Sequence, residues 1–190
     1  MPSLVAVVGS VTPPGRLRSA VELALSEAKA TNAELEMELV DLGEYRVSFA
    51  DGRPLEAFGD DTAVVVGKIA AADAVLLATP VYRATFTGVL KNLLDQTPLE
   101  ALRDKPAGIV AMGATPHHYL GADWQLRAVL AWFGARTLPT SVYLESSQFS
   151  EGKLVDEHAR AELSALTAGL LRLATLPGDL GPPPLAAPRS

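Results

Sequence analysis

The sequence predicts an α/β fold in which a parallel sheet carries helices on both faces. Two observations predict it. Apolar, β-rich runs without polar alternation recur at Leu4–Val8, Asp73–Thr79 and Ala107–Met112, as suits strands covered on both sides. Stretches with helical spacing of apolar residues separate them, and such β-α alternation implies parallel strands joined by right-handed crossovers.

The first strand, Leu4 to Val8, ends at Gly9-Ser10, and a loop through Val11-Thr12-Pro13-Pro14-Gly15 follows. Leu17, Ala20, Val21, Ala24, Leu25 and Ala28 then recur at helical spacing, which predicts a helix over about Arg18–Ala30. Leu35, Met37 and Leu39 alternate with Glu34, Glu36 and Glu38, as in a strand with one wetter side near a sheet edge. The stretch from Gly43 to Gly59 is irregular. A helix should start near Asp60 or Asp61, where a carboxylate can cap free amides, and run to about Ala72. The strand Asp73–Thr79 is stopped by Pro80. Helices are then expected over Thr87–Asp95, Leu120–Phe133 and Asp156–Ala174, with strands at Ala107–Met112 and, after Pro139, at Thr140–Leu144. Residues 1–176 read as one domain. Five prolines after Leu176 mark 177–190 as a flexible tail.

A chain of 190 residues suits a single domain somewhat above the usual ~100–150 residues. Its net charge of −6 and the lack of any long basic segment argue against a nucleic-acid or anionic-membrane surface. With no cysteine, disulfides, thiolate metal sites, iron–sulfur clusters and cysteine nucleophiles are excluded. The N-terminus reads as a strand and not as a signal peptide, and no run approaches the ~18 apolar residues of a membrane helix. The expected address is the cytoplasm.

In an open doubly wound sheet, ligands sit beyond the carboxyl ends of the strands. Three loops fall there. The first holds Ser10, Thr12, Arg16, Arg18 and Ser19 at a helix N-terminus. Exposed amides, hydroxyls and arginines together suit a phosphate, and without three spaced glycines or a P-loop lysine a monophosphate fits better than a dinucleotide. The same residues would equally make a capped helix with surface arginines. The second loop, Thr79-Pro80-Val81-Tyr82-Arg83, could set amides and an aromatic ring against a planar ligand, or be an ordinary turn. The third runs from Met112 through Gly113, Ala114, Thr115 and Pro116 to His117, His118 and Tyr119. Adjacent histidines point apart and no further ligand cluster accompanies them, so no metal is expected. Trp132 suits the core or a subunit contact, and Trp124 is left open between these and the third loop.

Taken together, these loops resemble the NADPH-dependent FMN reductase family, most closely its two-component branch that supplies reduced flavin to alkanesulfonate monooxygenases. The resemblance covers roughly Leu4–Leu144. It is carried by the stretch from Ala78 to Asp95, by Gly9-Ser10 with Arg18-Ser19, and by Asp123-Trp124-Gln125-Leu126-Arg127. It implies a flavodoxin-like three-layer sandwich with a five-stranded parallel sheet in the order 2-1-3-4-5. It implies FMN as cofactor or substrate, NADPH or NADH as reductant, a partner monooxygenase, and a homodimer or homotetramer. By the same resemblance, Ser10, Arg18 and Ser19 would hold the FMN phosphate, with Arg16 sharing the role because Thr12 stands where the family often has arginine. Pro80, Val81, Tyr82 and Arg83 would line the isoalloxazine, and Gly113, Ala114, Thr115 and His117 would close its other edge. Hydride transfer by positioning needs no obligatory acid or base, so no catalytic side chain is expected. The rival readings are an FMN-bound quinone or azo-dye reductase, a flavodoxin-like electron carrier, and a non-catalytic assembly protein on the same fold.

Overall fold

A computed structural model describes residues 2–12, 15–178, 181, 182 and 184, without the side chains of Tyr119 and Leu120. The elements run β1 Ser3–Val8, α1 Arg16–Thr31, β2 Glu36–Asp41, α2 Thr62–Ala71, β3 Ala74–Pro80, α3 Gly88–Gln96, α4 Leu99–Leu102, β4 Pro106–Gly113 and α5 Tyr119–Phe133. They continue with β5 Arg136–Thr137, β6 Val142–Glu145, β7 Phe149–Ser150, β8 Lys153–Leu154 and α6 Glu157–Ala174.

The main sheet is parallel and ordered β2-β1-β3-β4, with β5 and β6 sharing the fifth position. This is the flavodoxin-like order 2-1-3-4-5, with the last strand in two pieces. β5 pairs with Pro106–Ala107 and β6 with Val110–Gly113. The break falls at Pro139, which has no amide for the ladder, so Thr140 and Ser141 stand outside the strand expected there. Asp73 likewise precedes β3, and its carboxylate accepts bonds from the Ser3 amide and hydroxyl at 2.8 and 2.9 Å.

Alternation along the strands sends one set of side chains to each helical layer. Val5, Val7, Val75, Leu77, Ile109 and Ala111 pack with α2, α3, α4 and α5. Leu4, Ala6, Val8, Leu76, Ala78 and Val110 pack with α1 and α6. β2 lies at the sheet edge, where its exposed Glu36 and Glu38 belong. Asp60 caps the approach to α2 by accepting from the Thr62 amide at 2.9 Å, whereas Asp61, the N-cap residue, makes no side-chain cap. The sequence reading left out the single turn α4, the short strand β5 and the antiparallel hairpin β7–β8. Of the expected tail, much lies outside the described residues, as do Pro13 and Pro14 of the first loop. The Pro177 carbonyl accepts from Arg136 at 3.2 Å.

Candidate functional site

The register brings the ends of three strands to one edge, with Val8 level with Ala78 and Pro80 level with Met112. A cavity of about 220 Å3 opens there. Ser10, Arg16 and Arg18 line it from the first loop, Pro80 and Tyr82 from the second, and Asp41 and Met112 from the strand ends. Ser19 lies in a neighbouring open groove with Glu22, Glu44 and Lys153. Arg83 and the run from Gly113 to His117 stand outside the cavity wall, and residues 114–117 are exposed.

The first loop leads directly into α1. Gly15 is the N-cap of α1 and supplies no side-chain cap, and the first turn holds no acidic residue. Among the described residues the first amides of α1 therefore have no side-chain cap, and they face the cavity with the positive end of the helix dipole, which suits an anion. The Ser10 and Thr12 hydroxyls bond each other at 2.7 Å beside it, and Arg16 is exposed at the rim.

Arg18 is already committed. Its Nε donates to Glu22 at 2.8 Å, and its Nη1 donates to Asp41 at 3.0 Å and also to Glu44. The bonds to Glu22 and Glu44, with a smaller one from Asp41, raise its pKa further above the ordinary arginine value. Asp41 is only 3% exposed and also accepts from the Gly43 amide at 2.9 Å. A buried carboxylate on the cavity wall would repel an anion, and Arg18 neutralises it.

The second loop is held from three sides. The Val81 amide donates to the Met112 carbonyl at 2.8 Å, and the Val81 side chain packs into the core, so this residue offers the cavity no side chain. Tyr82 and Thr85 exchange backbone bonds of 2.9 and 3.2 Å around a tight turn. Arg83 and Ala84 sit in the left-handed region at φ 52° and 64°, as a primed hairpin turn demands and as non-glycine residues resist. Among the described residues, the Arg83 and Ala84 amides have no backbone partner. The Tyr82 ring stands out, 52% exposed.

Behind this turn the Thr87 hydroxyl donates to the Gly9 carbonyl at 2.6 Å and accepts from the Leu90 amide at 3.3 Å, while Thr79 accepts from the Thr87 amide at 3.1 Å. Thr87 thereby ties the first loop to α3. Gly9 must be glycine here, because a Cβ would lie 2.8 Å from Leu90 Cβ.

The third loop has its own anchor, Tyr143 on β6. Its hydroxyl donates to the Thr115 carbonyl at 2.7 Å, and a Cβ on Gly113 would meet that hydroxyl at 2.0 Å. Burial, with a smaller contribution from Glu145, pushes the Tyr143 phenol above its ordinary value, so it stays a donor. Sequence reading missed Thr87 and Tyr143. The alternation of β6 could have placed Tyr143 beside Ala111, but not its reach to Thr115.

Trp124 and Trp132 on α5 are 76% and 57% exposed, so neither is core in this chain. Trp132 packs edge-on against Phe133 at 5.0 Å.

The family model for NADPH-dependent FMN reductases matches residues 2–149. The chain belongs to the NADPH-dependent FMN reductase family. An NAD(P)H-dependent FAD/FMN reductase of Geobacillus thermodenitrificans is 39% identical over 147 residues, 77% of this chain and 80% of the relative. The NADH-dependent FMN reductase SfnF of Pseudomonas putida is 30% identical, over 80% of this chain and 82% of its own. Among solved structures, the apo form of the NADH:FMN oxidoreductase EMOB superposes with a TM-score of 0.76 at 29% identity, covering 93% of this chain and 92% of that one.

The chain is therefore an NAD(P)H-dependent FMN reductase, an oxidoreductase whose small-molecule substrates are FMN and NAD(P)H. Its own residues fit the flavin. An uncapped helix end and two hydroxyls suit a phosphate, and an exposed tyrosine ring flanks them. No helix among the described residues is long and apolar enough to cross a membrane.

Proposed function

We propose that this reductase grips the FMN phosphate with Ser10, Arg16, Arg18, Ser19 and the first amides of α1, and takes the flavin ring against the second and third loops. The observation that carries the reading is the uncapped start of α1, opening into the cavity where the ends of β1, β3 and β4 converge. When bound, the flavin supplies the hydride-accepting chemistry, and the chain supplies position and electrostatics. Pro80 and the Val81 backbone form the floor under one ring edge, Tyr82 flanks it, and the turn amides at Arg83 and Ala84 are the available donors. Gly113, Ala114, Thr115 and His117 close the other edge. Donors fixed in place before the reaction stabilise charge as it accumulates, without a proton-transferring side chain. Arg16 or Arg83 would also meet the phosphates of the nicotinamide nucleotide.

Reduced flavin then leaves for a flavin-dependent monooxygenase. The support is the likeness to the two-component branch. The active form is a homodimer or homotetramer built on α5, where Trp132 lines an apolar groove with Leu94, Val129 and Phe133. Residues 1–176 carry the activity, with 177–190 as an appended tail. The enzyme works in the cytoplasm, where nicotinamide nucleotides are recycled.

Steady-state NAD(P)H oxidation with FMN and with riboflavin tests the site. A hydrogen bond to a charged group is worth about 1.5–3 kcal/mol, so Ser10→Ala and Arg16→Ala should each raise the FMN KM roughly 10- to 100-fold. Riboflavin lacks the phosphate, and its KM should not move. An unchanged preference for FMN over riboflavin in both variants refutes the phosphate assignment.

A further inference from the structure

We propose that Gln125 and Gly121 of α5 are positioning residues that clamp the Tyr82–Thr85 turn in the shape the flavin ring requires. The inference rests on the reading that this turn lines the isoalloxazine. Arg83 and Ala84 are consecutive non-glycine residues at positive φ, a conformation that sterics oppose and that persists only when surrounding structure imposes it. The two cross-turn backbone bonds close the turn on itself, and neither ties Arg83 or Ala84 to another element.

α5 supplies what is missing. The Thr85 hydroxyl donates to Gln125 Oε1, forty residues along the chain. One helical turn earlier, the Gly121 backbone lies directly under the Ala84 carbonyl, where an added Cβ would sit 2.4 Å from that oxygen. Ordinary contact begins at 3.4 Å, so any side chain at position 121 would push the turn out by 1.0 Å. The two contacts hold adjacent residues of the turn, one by a bond and the other by close approach. Gln125 is exposed, and among the described residues its side chain bonds only Thr85, so its part is played through that residue.

The test uses Gln125→Ala, Thr85→Val and Gly121→Ala in the full chain, with kcat and the FMN KM measured separately. A misplacement of about 1 Å at a reacting site can cost on the order of 10²-fold, so kcat/KM for FMN should fall between about 10- and 100-fold. Tm and oligomeric state are measured for each variant, and a fall in kcat/KM with both unchanged separates positioning from folding or assembly. The decisive arm adds Ala84→Gly to Gln125→Ala. Glycine takes positive φ without penalty, so the turn should keep its shape unclamped and much of the lost kcat/KM should return. Native kinetics in Gln125→Ala, or a loss that Ala84→Gly does not relieve, overturns the clamp. If Ser10→Ala impairs FMN use while Gln125→Ala does not, only the clamp fails. If both leave FMN saturation untouched, the flavin site itself is wrong.

Discussion

Replacing Thr87 by valine should loosen the joint between the first loop and α3 without leaving a hole. Thr87 is 3% exposed, and its hydroxyl serves two buried partners. It donates to the Gly9 carbonyl and accepts from the Leu90 amide as the N-cap of α3. Losing an N-cap costs about 0.5–2 kcal/mol. A buried carbonyl left without its donor costs about 1–3 kcal/mol more. Valine fills nearly the same volume, so no cavity cost is added, and the sum is roughly 2–4 kcal/mol. For a chain of this length each kcal/mol lowers Tm by about 2–4 °C, so calorimetry should show a fall of roughly 4–16 °C. Thr87→Ser keeps the hydroxyl and should fall much less. The Gly9 carbonyl precedes Ser10, so the valine variant should also bind FMN more weakly than native protein, read by titrating NAD(P)H oxidation with flavin. A valine variant melting within 2 °C of native, or a serine variant equally damaged, would refute the assignment of that hydroxyl as the joint.

Arg18→Ala should impair both folding and FMN binding, because it strands Asp41 on the cavity wall. Adding Asp41→Asn should restore Tm more than FMN affinity, and equal recovery of both would argue against a phosphate contact by Arg18. Gly113→Ala should displace Tyr143, whose hydroxyl would lie 2.0 Å from the new Cβ, and lower both Tm and flavin affinity. Truncating the ring in Gly113→Ala with Tyr143→Ala should recover part of the affinity. On the acid side, bonds from Ser3, led by its amide, hold the Asp73 carboxyl below its ordinary value. That stability is present above the unfolded value near 3.9 and is lost as pH falls through the folded one, so Asp73→Asn should flatten the acid limb of urea midpoints. Burial pulls the Lys105 ammonium down to about 8. Between there and the unfolded value near 10.4 the unfolded chain binds more protons, so stability should rise with pH across that window, and Lys105→Met should abolish the rise.

The fold was legible because its signals are local. Apolar runs and helical spacing located the main strands and the longer helices within a few residues, whereas the piece of the fifth strand ahead of Pro139, only two residues long, was missed. The hairpin β7–β8 was hidden because its strands are two residues long. Its turn, Glu151-Gly152, has positive φ at both residues without an Asn-Gly or Asp-Gly signal. Among the residues lining the cavity, Ser10, Arg16, Pro80 and Tyr82 were legible because a loop after a strand is recognisable one segment at a time. Partners that join distant segments could not. Thr87 meets Gly9 across 78 residues, Gln125 meets Thr85 across 40, and Tyr143 meets Thr115 across 28. Arg18 was readable as a cation, but its engagement by Asp41 depends on the pairing of β1 with β2.

These long-range partners share one arrangement. Each loop at the strand ends is fixed by an element that does not itself line the cavity: the first by α3 through Thr87, the second by α5 through Gln125 and Gly121, the third by β6 through Tyr143. An enzyme whose cofactor carries the reactive chemistry gains rate from how accurately the backbone is held. Chemical identity at the cavity wall matters less there than rigidity behind it. It follows that substitutions at these three remote anchors should impair turnover more than removal of any single exposed side chain such as His117. Of the three, α5 alone also carries exposed tryptophans, so a substitution at Trp124 or Trp132 falls on the helix that bonds the second loop.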